Sequence, residues 1–275
     1  MPPGDIILSI CIPTFNRRER VAALVRHLLS IPGPFEICVH VDGSTDGTME
    51  ELAAIADTRL AASSGLNGGR ANALLSACRQ ARGRFILIFD DDDTLSHEGL
   101  RAVLDDCARP LPDGAVGYIY HLVGEGGDRI GDPFPVTAQS NFLALRADHG
   151  VRGDKKELVL ADALKAVIYD GRGRFRRVPT SLIWSRLALR YDVICRDVAI
   201  GRKLYLAGGM TNNISRLKAR DAYPMALLYA THVSAFAHGR YRSPRFLAKA
   251  LAGVAIYGAR AAYGALRHAH FGRSL

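Results

Sequence analysis

The apolar segments in the first 110 residues constrain the fold of this chain more than any other feature. Three short runs rich in β-branched and aromatic residues are almost continuously apolar: 6–12, 35–41 and 85–89. Strands buried on both faces of a parallel sheet have this appearance. Segments with helical spacing of apolar residues lie between these runs: 18–29, 48–56 and 70–82. This order predicts an α/β fold with a Rossmann-like, mostly parallel sheet flanked by helices.

Polar loops follow all three predicted strands, at 13–17, 42–47 and 90–93. Ligands of such sheets bind beyond the carboxyl ends of the strands. We therefore expect the three loops to line one crevice.

Four consecutive aspartates, 90–93, follow the third predicted strand directly. Like charges a few ångströms apart repel and raise one another's pKa, so something must offset the repulsion. Mg²⁺ or Mn²⁺ would do so, typically through one or two carboxylates plus the phosphates of a substrate. The alternative is a solvated turn in which Asp93 or Ser96 caps a helix starting near His97. The position at the end of a central strand favours the metal.

Asp42 also ends a predicted strand, where an acidic residue can accept a hydrogen bond from a base or a ribose hydroxyl. Turn and cap chemistry accounts for Asp46 and Thr48. It leaves Asp42 unexplained.

Three ordered motifs resemble the opening of the family 2 glycosyltransferases: LSICIPTFNR at 8–17, VDGSTDGT at 41–48 and GRFILIFDDDDTL at 83–95. The resemblance implies a GT-A fold, a nucleotide-sugar donor, inversion at the anomeric carbon and a metal-binding D-x-D motif. It implies that Asp42 binds the base and that Asp90 and Asp92 hold the ribose and the metal. Asp93 matches a further acidic position often found there.

The resemblance thereby gives a residue set for the donor site, with UDP as the expected nucleotide. We predict that the nucleotide sugar is bound by Pro13, Thr14, Asn16, Arg17, Asp42, Arg70, Asp90 and Asp91. We predict that Mg²⁺ or Mn²⁺ is bound by Asp92 and Asp90. The middle helix departs from the A-L-N-x-G pattern that the family often has, because Leu75 follows Leu74. A polar contact near the donor would then be missing.

Downstream segments at 153–158, 178–186 and 213–216 are similar to a bacterial subgroup of the family that builds surface polysaccharides. In that subgroup an acidic residue, a natural candidate for the general base, commonly follows the proline before the L-I-W run. This chain has Thr180 there.

An inverting transfer needs a carboxylate within hydrogen-bond reach of the acceptor hydroxyl. We predict Asp154 and Asp197 as candidate catalytic bases, with Glu157 a weaker third. Each of the first two fits a surface ion pair equally well.

The chain has 275 residues and a formal charge of +9, with basic residues concentrated after residue 172. This charge favours an anionic partner. The balanced first hundred residues disfavour a dedicated nucleic-acid binder, so we expect no nucleic acid. A basic run, Arg172, Arg174, Arg176 and Arg177, fits either a solvated face or a grip on a diphosphate. Five scattered cysteines and no secretion signal favour a cytoplasmic location.

We predict a GT-A domain over 1–223, with a donor half at 1–110 and an acceptor half at 111–223. A basic helical C-terminal segment follows at 224–275. Its apolar stretch 246–266 has nearly the length of a membrane span but is interrupted by Lys249 and Arg260. A helix lying on an anionic inner leaflet and a helix docked against the domain both fit this pattern.

The predicted function is metal-dependent, inverting transfer of a sugar from a nucleotide diphosphate to a saccharide or lipid-linked acceptor. One alternative is a membrane-associated nucleotide-sugar binding protein with a degenerate catalytic centre, motivated by Thr180. The other is a nucleotidylyltransferase, which the absence of a glycine-rich phosphate loop at 13–17 disfavours.

Overall fold

The computed structural model describes residues 6–135, 138–168, 178–203 and 222–271, with side chains up to residue 264 in the last range. The basic run at 172–177 and the segment 213–216 lie outside these residues. The described strands are β1 Leu8–Thr14, β2 Phe35–Asp42, β3 Leu60–Gly65, β4 Phe85–Ile88, β5 Asp93–Leu95, β6 Ala115–Val123, β7 Gln139–Ser140, β8 Lys156–Leu160 and β9 Asp192–Lys203.

The described helices are α1 Arg18–Leu29, α2 Thr48–Ala53, α3 Arg70–Gln80, α4 His97–Cys107, α5 Phe142–Ala147, α6 Ala161–Val167, α7 Ser181–Ala188, α8 Ala222–Ala237 and α9 Pro244–Phe271. The first three agree closely with the helical patterns in the sequence, whereas α5 and α6 were not predicted. Ser96 caps α4, because its Oγ accepts a hydrogen bond from the Gly99 N–H.

One sheet joins both halves of the chain in the order β3-β2-β1-β4-β8-β6-β9-β5, and β7 pairs with β9. β3, β2, β1 and β4 are mutually parallel. β8 is antiparallel to both β4 and β6, and β6 is parallel to β9. The α/β class and the mostly parallel sheet are confirmed. The division into donor half, acceptor half and C-terminal segment stays a prediction.

The strands β1, β2 and β4 are buried on both faces, which explains their nearly continuous apolar runs. Alternate residues of β1 serve two cores: Ile10 and Ile12 pack with α1 and α4, and Cys11 packs with α3 and α7. All five cysteines are unpaired. The described residues contain no helix long and apolar enough to cross a membrane.

β3 is the strand that apolar patterning misses. Most residues of its sequence, LAASSG, have small side chains, and the strand is only partly buried. The strand lies at the edge of the sheet beside β2. Backbone pairing with β2, rather than burial of apolar side chains, places this strand in the sheet. Such pairing cannot be read from the amino-acid composition of the segment.

We expect Gly99→Ala to destabilise the protein, because a Cβ there would lie 1.9 Å from the backbone oxygen of Ile200. Overpacking against backbone typically costs about 1–3 kcal/mol, which thermal or urea unfolding would detect. Gly258→Ala in α9 is the matched control. No heavy atom lies within 4 Å of its Cβ position, so the helix should gain about 1 kcal/mol or less. Unchanged stability of Gly99→Ala would contradict the close approach of α4 to β9.

Candidate active site

The loop after β1 contacts the aspartates that follow β4. The Thr14 hydroxyl donates a hydrogen bond to Asp91 Oδ2 at 2.6 Å. Arg17 Nη1 lies 2.6 Å from Asp91 Oδ1 and 2.9 Å from Asp92 Oδ2. Pro13, buried in β1, immediately precedes Thr14. These residues of the predicted nucleotide-sugar site are therefore together at the carboxyl edge of the sheet.

The loops after β1 and β2 are fixed to each other. The Asn16 N–H donates to Ser44 Oγ, and the Thr45 N–H donates to Asn16 Oδ1, both at 2.9 Å. Among the described non-glycine residues Asn16 alone has a positive φ, 50°. Asparagine adopts that conformation more readily than most residues. Part of the hydrogen-bonding capacity of Asn16 therefore holds the neighbouring loop.

Asp42 is buried and fixes the loop that leads into α3. Its carboxylate accepts hydrogen bonds from the N–H groups of Gly68 at 2.7 Å and Gly69 at 2.8 Å. The Asn67 side chain donates to the Asp42 carbonyl at 2.9 Å. Asp42 thus has a positioning role that the sequence did not indicate, and its contact with a base stays a prediction.

Four cations surround the four aspartates. Lys156 Nζ lies 2.9 Å from Asp90 Oδ2 and 2.7 Å from Asp93 Oδ2. Lys203 Nζ lies 3.6 Å from Asp93 Oδ1. Arg70 binds the other oxygen of Asp90, and Arg17 bridges Asp91 and Asp92. The repulsion expected from the sequence is therefore balanced by side chains of the protein itself.

These contacts separate the proton affinities of the aspartates. Burial would raise the pKa of Asp90, but Lys156 and Arg70 outweigh it and hold that pKa well below its usual range. Burial raises the pKa of Asp91 and of Asp93 despite their cationic neighbours. Burial would lower the pKa of Lys156, yet Asp90 and Asp93 outweigh it and raise that pKa. Asp90, which is 25% exposed, and the buried Lys156 form a charged pair at neutral pH.

The donor set fits a divalent cation at Asp92 better than at Asp90. The two side chains are equally exposed, at 25% and 24%. Both oxygens of Asp90 are engaged by cations, whereas Asp92 contacts the described cations through Oδ2 alone, toward Arg17. No cluster of three or more His, Cys, Asp or Glu side chains in the described ranges could hold a metal ion. Mg²⁺ and Mn²⁺ commonly take one or two carboxylates and complete their coordination with substrate phosphates. The residues present fit that arrangement.

The two predicted catalytic carboxylates lie in different places. Asp154 is 57% exposed, and its Oδ2 lies 3.0 Å from Nζ of Lys203, which also reaches the aspartate cluster. Asp197 is 70% exposed and contacts Arg129 at 2.9 Å and His121 at 3.2 Å. No described contact joins Asp197 to the cluster.

Glu157 differs from both in its environment. It follows Lys156 in β8, opposite Ile119 of β6. Because side chains alternate along a strand, Glu157 shares a face with Val159, in the core formed with α3 and α7. It is partly buried, without a hydrogen bond or ion pair to the described residues. Burial raises the pKa of Glu157 to about 8.

Thr180 occupies the N-cap of α7, on that same face. Arg70, the first residue of α3, donates a hydrogen bond to Thr180 Oγ1 at 2.8 Å and also binds Asp90. Arg70 thus connects the position where the subgroup carries an acid to the first aspartate of the cluster.

A family model described as "Glycosyl transferase family 2" matches residues 9–176, more than half of the chain. The chain belongs to this family. The family, the GT-A fold and the enzyme class predicted from the sequence are thereby confirmed. No curated protein matches the chain.

Several solved structures share this fold at low identity. TarS 1–349 of S. aureus has a TM-score of 0.60 at 19% identity, covering 92% of this chain and 71% of that one. The mannosyltransferase PcManGT of Pyrobaculum calidifontis, in complex with GDP-Man and Mn²⁺, has a TM-score of 0.57 at 17% identity, covering 95% and 79%. In a further TarS structure (TM-score 0.58, 20% identity, 84% of this chain covered), the match spans 43% of the TarS chain.

Sequence reasoning missed two of the four cations of the cluster. Lys156 and Lys203 come from β8 and β9, far from the D-x-D motif along the chain. A signal was present, because Lys156 opens a run of strand residues that is otherwise largely apolar. A lysine in such a run requires a buried counter-charge.

We expect Lys156→Met to lower the free energy of unfolding by about 3–5 kcal/mol at neutral pH, because it removes the buried cation that Asp90 shares with the buried Asp93. The depressed pKa of Asp90 means that its stabilisation by Lys156 is full above the ordinary aspartate pKa of about 3.9. It is lost as the pH falls through the lower folded value.

The stability difference between wild type and Lys156→Met should therefore shrink in acid, as urea titrations at several pH values would reveal. Lys165→Met is the control, because among the described residues this lysine donates a hydrogen bond to the Ala81 carbonyl alone. A difference independent of pH, or no difference, would contradict the ion pair.

Proposed function

We propose that this chain catalyses inverting, metal-dependent transfer of a sugar from a nucleotide diphosphate to a hydroxyl of a saccharide or lipid-linked acceptor. The observation that carries the proposal is the aspartate cluster at the carboxyl edge of the sheet, with Asp92 accessible and cationic groups beside it. We propose a cytoplasmic location at the inner face of the membrane, where lipid-linked acceptors would be available.

In the proposed donor site, Asp92 binds Mg²⁺ or Mn²⁺, with Asp90 close by. The ion supplies positive charge to the departing nucleotide diphosphate. Arg17 is 30% exposed, so its guanidinium is accessible to a phosphate oxygen. Asp42 is assigned to the base, and the donor set also comprises Pro13, Thr14, Asn16, Arg70 and Asp91.

UDP is the nucleotide that we propose first. TarS has been solved with UDP and with UDP-GlcNAc, and glucosyl-3-phosphoglycerate synthase of Mycobacterium tuberculosis with Mn²⁺ and UDP. GDP is the competing nucleotide, because PcManGT holds GDP-Man.

For the general base we propose Glu157, ahead of Asp154 and Asp197. In the step, the carboxylate takes the proton of the acceptor hydroxyl while that oxygen forms a bond to the anomeric carbon. The bond from that carbon to the diphosphate breaks on the opposite side. Glu157 is partly buried and shares its face of the sheet with Thr180 and α3, and its raised pKa suits a proton acceptor near neutral pH. Asp154 and Asp197 are instead held in exposed ion pairs.

One observation favours a second candidate function, binding of a nucleotide sugar without turnover. Thr180, where the subgroup carries an acid, cannot accept a proton, and its hydroxyl is bound by Arg70. A nucleotidylyltransferase finds no support in the family.

We expect calorimetry to detect Mn²⁺-dependent binding of UDP, and weaker or no binding of GDP. Asp92→Asn should weaken Mn²⁺-dependent binding by about tenfold or more, because it removes the accessible ligand charge. Asp105→Asn, at an exposed position of α4, is the matched control and should bind as wild type does. Equal binding with and without Mn²⁺ would contradict the metal site.

We expect Glu157→Gln to lower kcat by about 10²–10⁴-fold while the affinity for UDP stays within about twofold. In wild type, kcat/KM should rise with pH and level off above about 8, because the base must be deprotonated. That dependence should be absent from the variant. Asp154→Asn and Asp197→Asn are the comparisons: a large loss of kcat in either, with Glu157→Gln active, would identify that aspartate as the base.

A further inference from the structure

The helix α9 has a long face that the described residues leave uncovered. Its opposite face packs closely on α8: a Cβ at Gly253 would lie 2.3 Å from the Tyr229 ring, and Tyr257 stacks on that ring at 5.7 Å. On the uncovered face, Leu251 and Ile256 are each 51% exposed. Exposed apolar residues in contiguous patches mark interaction surfaces in soluble proteins.

The exposed residues of α9 share one side of the helix. At 100° per residue they cover about half of the circumference. The exposed apolar members of this outer face are Ala248, Leu251, Ala252, Ala255, Ile256, Ala259, Ala262 and Tyr263. A helix docked only against its own domain would not require large apolar residues there.

A row of cations borders the outer face. Arg245, Lys249 and Arg260 are exposed, and their spacing places them along one side of the apolar residues. The sequence from 222 to 275 contains no Asp or Glu. The surface is therefore apolar and positive, with no acidic residue of its own segment to neutralise it.

We propose that the outer face of α9 binds an anionic lipid surface. Lipid headgroups supply the negative charge, and the acyl boundary accepts Leu251 and Ile256. A second copy of the chain fits less well, because a symmetric contact would bring the same cations together without an acid on either side. Nucleic acid would match the charge but offers no apolar layer for these two residues.

The position of α9 gives this contact a consequence for the active site. α9 packs on α8, and α8 packs on α7, whose first turn lies beside Arg70 and Thr180. A membrane-bound α9 would hold the cleft at a fixed height above the lipid. This consequence rests on the proposed transfer to a lipid-linked acceptor, whereas the lipid contact itself does not.

The test is cosedimentation of the full chain with phosphatidylcholine vesicles, with and without phosphatidylglycerol. Wild type should bind the anionic vesicles, bind the neutral ones weakly, and dissociate as salt is raised. The partition coefficient of the variant K249E/R260E onto anionic vesicles should fall by about thirtyfold or more. Each basic residue near an anionic surface raises that coefficient by about fivefold. L251S/I256S should also bind less, since both side chains are exposed and their loss leaves the core intact.

The matched control is R20E/R101E, which makes the same charge change on exposed positions of α1 and α4. It should bind vesicles as wild type does. Absence of wild-type binding, equal binding to neutral vesicles, or equal losses in K249E/R260E and the control would overturn the proposal. So would a dimer in sedimentation velocity that L251S/I256S dissociates. Calorimetric titration of UDP in the same variants keeps the outcome separate from the proposed function, because donor binding requires no lipid.

Discussion

The buried contact of Lys156 with Asp90 and Asp93 is the interaction on which the site depends. It joins β8 to the turn between β4 and β5, so that the sheet strands of the second half of the chain fix the charge state of a motif in the first. Isolated carboxylates in such a position would take up protons or move apart. With the lysine between them, Asp90 stays ionised and the turn keeps one geometry.

The same balance explains how much of the site could be predicted from the sequence. The strands β1, β2 and β4, and the polar residues that end them, are encoded locally by apolar runs and short motifs, so both the fold and the donor loops were predictable. The two lysines of the cluster were not, because Lys156 and Lys203 reach it from β8 and β9, far along the chain from the aspartates. Because protein cations balance the aspartates, charge repulsion is a weak argument for a bound metal ion. The partly exposed carboxylate of Asp92, which contacts Arg17 through Oδ2, is a stronger argument.

Short-range sequence patterns were also insufficient for residues that have two roles. Turn propensity could not explain Asp42, and the reason is a long-range contact: its carboxylate binds the backbone before α3. The catalytic base on the acceptor side of the site was harder to predict. Asp154 and Asp197 were preferred on motif grounds, but exposure and ion pairing depend on the surroundings that β9 and the loops provide. Glu157 was the weakest of the three candidates in the sequence, because only the sheet register shows which face of the sheet it occupies.

Arg17 shows why a balanced cluster can still bind an anionic donor. Its guanidinium contacts the buried Asp91 and the more accessible Asp92 at once. A cation held by Asp92 would satisfy that carboxylate without Arg17, and the arginine could then share its donors between Asp91 and a phosphate. The bound cation would raise the net charge of the site before a diphosphate enters, and Arg17 would stay anchored through Asp91. Anchoring by one buried acid while the other exchanges partners keeps the arginine oriented, and such preorganisation limits the entropy lost on binding. Because Arg17 contacts two aspartates, the charge-balanced cluster is compatible with a strongly anionic ligand.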